Sequence, residues 1–179
     1  MATYEVLREP PVAGDEVATL LGSLDRQRAT LAWKCGGLDA AAMRATVGAS
    51  TMTIGGLLKH LAFVEELQFC VRVGRSELSA PFDAVDWDAD PDWPWRTAAD
   101  DTPEALTALW EDRVRRAREA ITAALPDGLD QPVLQLWWRE QPSLRRILAD
   151  MVEEYARHVG HADLIRESID GLVGEDPPL

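Results

Sequence analysis

The sequence predicts an all-α protein, an antiparallel four-helix bundle with one long crossover loop. Four segments carry apolar residues at helical spacing, their ends carry recognisable caps, and no segment alternates convincingly as a half-buried strand would. Chains with this pattern fold as bundles whose long connections cross from one end to the other.

The first helix is expected from about Asp15 to Lys34. Gly14-Asp15 offers an N-cap, Val17, Leu20, Leu21, Leu24, Arg28 and Leu31 follow at helical spacing, and Gly36-Gly37 is a stop signal. A polar loop leads to Thr53, an N-cap candidate, and the second helix runs to about Val73 with Leu57, His60, Val64, Leu67 and Val71 on its inward stripe. The stretch GRSELSAPFDAVDWDADPDWPWRTAADD has few helix formers and reads as the crossover. Its Trp87, Trp93 and Trp95 either pin it to the bundle or make it a lid over a pocket. Thr102-Pro103-Glu104 joins a cap, an N1 proline and a first-turn acid, and opens a third helix to about Leu125. On that helix Arg113, Arg115, Arg116 and Arg118 read as a solvated face. A second connector, with a short extended piece at Val133 to Trp138, precedes the fourth helix, expected from about Ser143 to Ile169 and stopped at Gly171.

With 179 residues the chain is one domain's worth, residues 1–179, and a core of that size buries roughly 70% of the surface the unfolded chain exposes. A hydrophobic content of 46% beside 27% charged residues is that of a soluble globular protein. Asp and Glu outnumber Lys and Arg by 31 to 18, and the resulting charge of -13 repels phosphate backbones and anionic lipid, so neither nucleic acid nor membrane is an expected partner. The start MATYEVLREPPVAGDE lacks a basic segment followed by an apolar one, and no apolar run approaches the ~20 residues of a membrane span. A cytoplasmic protein, monomer or homodimer, is expected. Cys35 and Cys70 form no CxxC pair and read as buried thiols.

The chemistry gathers around histidine, of which there are three. On the fourth helix, with Glu154 placed at 0°, His158 falls at about 40°, His161 at about -20° and Asp150 at about -40°, all on one narrow face. His60 lies on the inward stripe of the second helix. An inward histidine is costly unless something bonds to it. Imidazole and carboxylate suit Zn²⁺, Ni²⁺ and related divalent ions, and metal sites in bundles are built from facing helices. Together these residues predict a metal site that uses every histidine of the chain.

Four stretches also carry a resemblance: GDEVATLLGSLDRQRATLAWKCGGLD, GGLLKHLAFVEE, DPDWPW, and PSLRRILADMVEEYARHVGHADLIRESIDG. They lie in order from about Gly14 to Gly171, and the chain resembles the DinB-like superfamily of four-helix metal-binding proteins, within it the actinobacterial mini-circle protein branch. The resemblance implies a divalent ion held by one histidine of the second helix and by groups of the fourth. The superfamily pattern on the fourth helix is His or Glu, a His four residues later and a polar residue three further on. On this chain it selects Glu154, His158 and His161, with His60 as the second-helix ligand. Where the branch carries a further histidine, one turn before that Glu, this chain has Asp150, so Glu154, His161 or both complete the sphere and Asp150 is a candidate orienting group. Glu65 is another such partner or else an exposed acid.

What the resemblance implies for activity is a metal-dependent, thiol-dependent S-transferase, acting on a small electrophile with a low-molecular-weight thiol of the mycothiol or bacillithiol type. Glu154 or His161 would shuttle the proton. A hydrolase that activates water at the same ion and a non-catalytic metal-binding, stress-related protein are the alternatives.

Overall fold

The computed structural model describes residues 9–136 and 139–175. Among the described residues there are six α-helices: α1 Glu16–Cys35, α2 Ala40–Met43, α3 Ile54–Glu65, α4 Trp93–Thr97, α5 Pro103–Ala124 and α6 Leu144–Asp170. Among the described residues there is no strand, only an isolated antiparallel bridge between Pro132 and Ser143. The chain is an all-α helix bundle, and α1, α3, α5 and α6 are the four long helices that the spacing predicts. No described helix is long and apolar enough to cross a membrane.

The caps act as the sequence implies. Asp15 accepts from the Ala18 N–H at 2.8 Å, and Thr102 accepts from the Ala105 N–H at 3.2 Å with Pro103 at the first helical position. Each satisfies one of the N–H groups that a helix start leaves without an internal partner. At the far end of α6, Gly171 takes φ +77° and donates its N–H to the Glu167 carbonyl at 2.9 Å, a conformation that favours glycine.

Two expectations need correction. The second predicted helix is α-helical only to Glu65, and Glu66–Val73 continues it as a π-helix, with the Gly74 N–H reaching the Phe69 carbonyl five residues back at 2.8 Å. The crossover is not irregular throughout, since it contains α4 and two 3₁₀ turns, Phe82–Ala84 and Ala98–Asp100. In the second connector the Leu134 N–H bonds the Arg72 carbonyl at 2.9 Å and the Val133 N–H bonds the Pro142 carbonyl at 2.9 Å, while Trp137 and Trp138 lie outside the described residues.

The chain divides into two compact units. In the one formed by Met1–Ile54 and Leu148–Leu179, α1 and α6 bury Leu24, Leu31, Trp33, Met151, Tyr155, Ala162 and Ile165. Arg166 of α6 donates to the carbonyls of Lys34 at 3.0 Å and Gly36 at 2.7 Å, where α1 has run out of N–H partners. The same guanidinium grips Asp170, and its hydrogen bond holds the Asp170 carboxyl below the usual carboxylate range. Lys34 Nζ, itself buried, lies 2.8 Å from Asp163.

The other unit, Gly55–Ile147, packs the π segment against α5. Its polar centre is Glu66, which has no exposed surface. One carboxylate oxygen accepts the Ser79 N–H at 2.7 Å and the Ser79 hydroxyl at 2.6 Å, and the other accepts Arg113 Nε at 2.7 Å. Arg113 also donates to the Ala80 carbonyl, and Arg116 donates to Ser79 Oγ at 2.7 Å. The expected solvated arginine face is therefore only partly so: Arg115 is exposed and pairs with Asp112 and Glu119, but Arg113 is 5% exposed. Removing one partner of a buried pair leaves an uncompensated charge, so Arg113→Met should cost about 3–5 kcal/mol of stability. In urea unfolding, the double variant with Glu66→Gln should recover a substantial part of that loss. Equal destabilisation by the single and the double variant would show that the pair is not what holds this unit.

Candidate functional site

Helix α6 presents two faces. Met151, Tyr155, Ala162 and Ile165 go into the core, and beside that stripe lie Asp150, Glu154, His158 and His161, as the spacing predicts. His158 is nearly buried at 6% exposure, while Asp150, Glu154 and His161 are half-buried. Four residues along a helix place side chains over one another, and His158 Nε2 accordingly lies 3.1 Å from Glu154 Oε1. His161 Nδ1 lies 3.3 Å from His158 Nδ1.

This geometry constrains the protons. An ionised carboxylate only accepts, and a neutral imidazole donates from one nitrogen and accepts at the other. With both rings neutral, His158 donates from Nε2 to Glu154 and accepts at Nδ1, so His161 donates from Nδ1 and keeps Nε2 as its basic nitrogen. The His161 pKa is lowered, first by burial and then by His158 and Arg157, with Glu154 opposing. His161 is thus a neutral base near neutral pH.

In the other unit His60 is half-buried, not at the centre of the inward stripe as expected. The fully buried positions of α3 include Ile54, Leu57, Leu58, Leu61, Ala62 and Glu65, so His60 sits at the margin of that stripe. There its ring stacks on Trp95 of α4, with centroids 4.6 Å apart and planes 23° apart. The neighbouring contacts repeat the arrangement. Phe63 stacks on Trp87 at 3.9 Å, and Lys59 Nζ lies 4.2 Å from the centroid of Trp93 and 2.5 Å from Asp101. Of the two readings of the crossover, pinning is thus realised in these three contacts along α3.

Of the acids named from sequence, Glu65 is fully buried and so is no exposed acid. Glu66 beside it went unrecognised. A pair of glutamates inside an apolar segment was the available signal, since α-helical spacing places adjacent residues about 100° apart and seldom buries both.

A family model described as mycothiol-S-transferase matches residues 19–171. No curated protein gives a significant match to the chain.

Both cysteines are free and buried, as expected. Burial pushes the Cys35 thiol up to about 12, against a smaller opposing effect of Arg166, and also raises that of Cys70. The reactive form of a cysteine is its thiolate, so neither side chain is equipped as a nucleophile. With an aromatic disulfide reagent at pH 7.5, the native protein should release almost no thiol signal over minutes, and the denatured protein should release two equivalents. Rapid reaction of either cysteine in the native state would contradict the buried, protonated assignment.

Proposed function

The chain belongs to the mycothiol S-transferase family, and from that premise we propose that it is a metal-dependent S-transferase that joins a low-molecular-weight thiol of the mycothiol type to a small electrophile. The family match over residues 19–171 is the observation that carries this reading. We assign the metal to His60 of α3 with Glu154 and His158 of α6, a candidate His/Glu/His donor set. The donor chemistry fits: two imidazoles and one carboxylate are the ligands of catalytic zinc and related ions, and three protein ligands leave a position open. A bound divalent ion would supply Lewis acidity, lowering the pKa of a coordinated thiol.

The chain's own residues would do the rest. His161 takes the thiol proton as the S–H bond breaks, and the resulting sulfur lone pair forms the new C–S bond while the electrophile's leaving group departs with its bonding pair. Glu154 keeps His158 oriented in the absence of the ion through their 3.1 Å contact. Asp150, one turn before Glu154, adds negative charge to the same helix face and is proposed as an orienting group. Trp95, stacked on His60, and Trp93, against Lys59, would shield the region next to His60 from water. Zinc and nickel are the ions that this donor set favours.

Purified wild type should carry about one divalent ion per chain by elemental analysis, and His60→Ala and His158→Ala should each fall to a small fraction of that, because each removes one of only three protein ligands. Transfer to a model electrophile should require an added small thiol. Cobalt-loaded wild type should gain a sulfur-to-metal charge-transfer band when that thiol is added. A wild type with no stoichiometric metal would remove the metal assignment, and turnover that proceeds without thiol would replace transfer by hydrolysis.

A further inference from the structure

Metal-binding histidines are usually oriented by a hydrogen bond from the ring nitrogen that does not bind the ion. A stacked ring can orient a histidine as well, and the indole of Trp95 lies nearly parallel to the His60 ring at 4.6 Å. We propose that Trp95 is a positioning residue for His60, and that the crossover thereby sets the orientation of the ligand ring. This inference rests on the assignment of His60 as a metal ligand.

A histidine on a helix has about two accessible χ1 wells, and its ring has about two orientations in each. A planar partner lying over one face of the imidazole selects one χ1 well, accepts either ring orientation related by a flip about χ2, and leaves the ring edge as the side from which an ion approaches. That is what a ligand requires, since a metal approaches an imidazole in its plane. Trp95 is itself held in place: α4 is five residues long, Pro94 within it is buried, and the Thr97 hydroxyl bonds the Trp93 carbonyl at 2.7 Å. The residue before His60, Lys59, engages Trp93 and Asp101, so this part of the crossover is tied to α3 on both sides of the His60 contact. The indole is thus a fixed plate against which the ring rests.

Restricting the ring to one of about two χ1 wells is worth about twofold in affinity, and contacts that orient a ligand contribute up to about tenfold or more. Trp95→Ala should therefore weaken metal binding by more than about twofold, up to about tenfold, in competition with a chelator, and should alter the visible spectrum of the cobalt-loaded protein. Trp95→Phe, which keeps a flat face, should bind within about twofold of wild type. Trp87→Ala removes an aromatic of the same crossover that stacks on Phe63 and not on His60, so it should leave metal affinity and the cobalt spectrum unchanged. In the metal-free protein, NMR should show the His60 ring protons shifted upfield by the indole in wild type and not in Trp95→Ala. The proposal is overturned if Trp95→Ala binds cobalt with wild-type affinity and spectrum, or if Trp87→Ala weakens binding as much. A wild type that binds no metal but retains the upfield shift would instead overturn the metal assignment of His60, and with it any role of Trp95 in binding.

Discussion

The unit that carries His60 is organised around the buried carboxylate of Glu66. Placing an ion of this kind away from water costs several kcal/mol unless its lone pairs are used. Here they are used by three donors from two other segments, the Ser79 N–H, the Ser79 hydroxyl and Arg113 Nε. The requirement is geometric as well as energetic. To satisfy Glu66 the crossover must enter at Ser79 and Ala80, and α5 must turn Arg113 inward. Once the crossover starts there, its tryptophans fall along α3, and Trp95 reaches His60. A carboxylate that touches none of the proposed ligands thus conditions where one of them points.

The two halves of the proposed donor set are built by different means. Glu154 and His158, with His161 beside them, are arranged by one helix, and spacing alone brings His158 within 3.1 Å of Glu154 and 3.3 Å of His161. Any uninterrupted helix through Glu154–His161 would do the same. His60 depends on tertiary structure, because its surroundings come from residues about 35 positions later in the chain. Local helix propensity can preserve the first half through considerable change elsewhere. The second half is sensitive to whatever moves the crossover.

That difference also explains what could be read from the sequence. The order of the long helices, their caps at Asp15 and Thr102 and the stop at Gly171 follow from local rules, and the structure has them. The shared face of Glu154, His158 and His161 follows from the same periodicity. The stripe Leu57, His60, Val64, Leu67 and Val71 assumed that periodicity through a segment that abandons it after Glu65. In a π-helix the bonds run from i to i+5, so each turn holds more residues and the faces rotate away from the α-helical count. Glu65 and Glu66 are then buried side by side, followed by Phe69, Cys70 and Arg72. Arg113 was misread for a related reason: its inward turn is explained by a partner 47 residues earlier in the chain, which no pattern within α5 reveals.

The protonation of the chain's own thiols bears on the proposed chemistry. A thiol whose pKa is about 12, as burial makes that of Cys35, is ionised to about one part in 10⁵ at pH 7, whereas an ordinary thiol near 8.5 is ionised to a few per cent. The intrinsic reactivity of a thiolate rises with its pKa, but with a Brønsted slope of only about 0.4–0.5, so about half of the lost reactivity on a logarithmic scale is not recovered. Burial then removes access as well. An enzyme that brings electrophiles to its surface is exposed to alkylation by its own substrates, and keeping both cysteines protonated and covered limits that reaction. In the proposed reaction the sulfur would then come from outside the chain, in keeping with a family described as mycothiol-S-transferase.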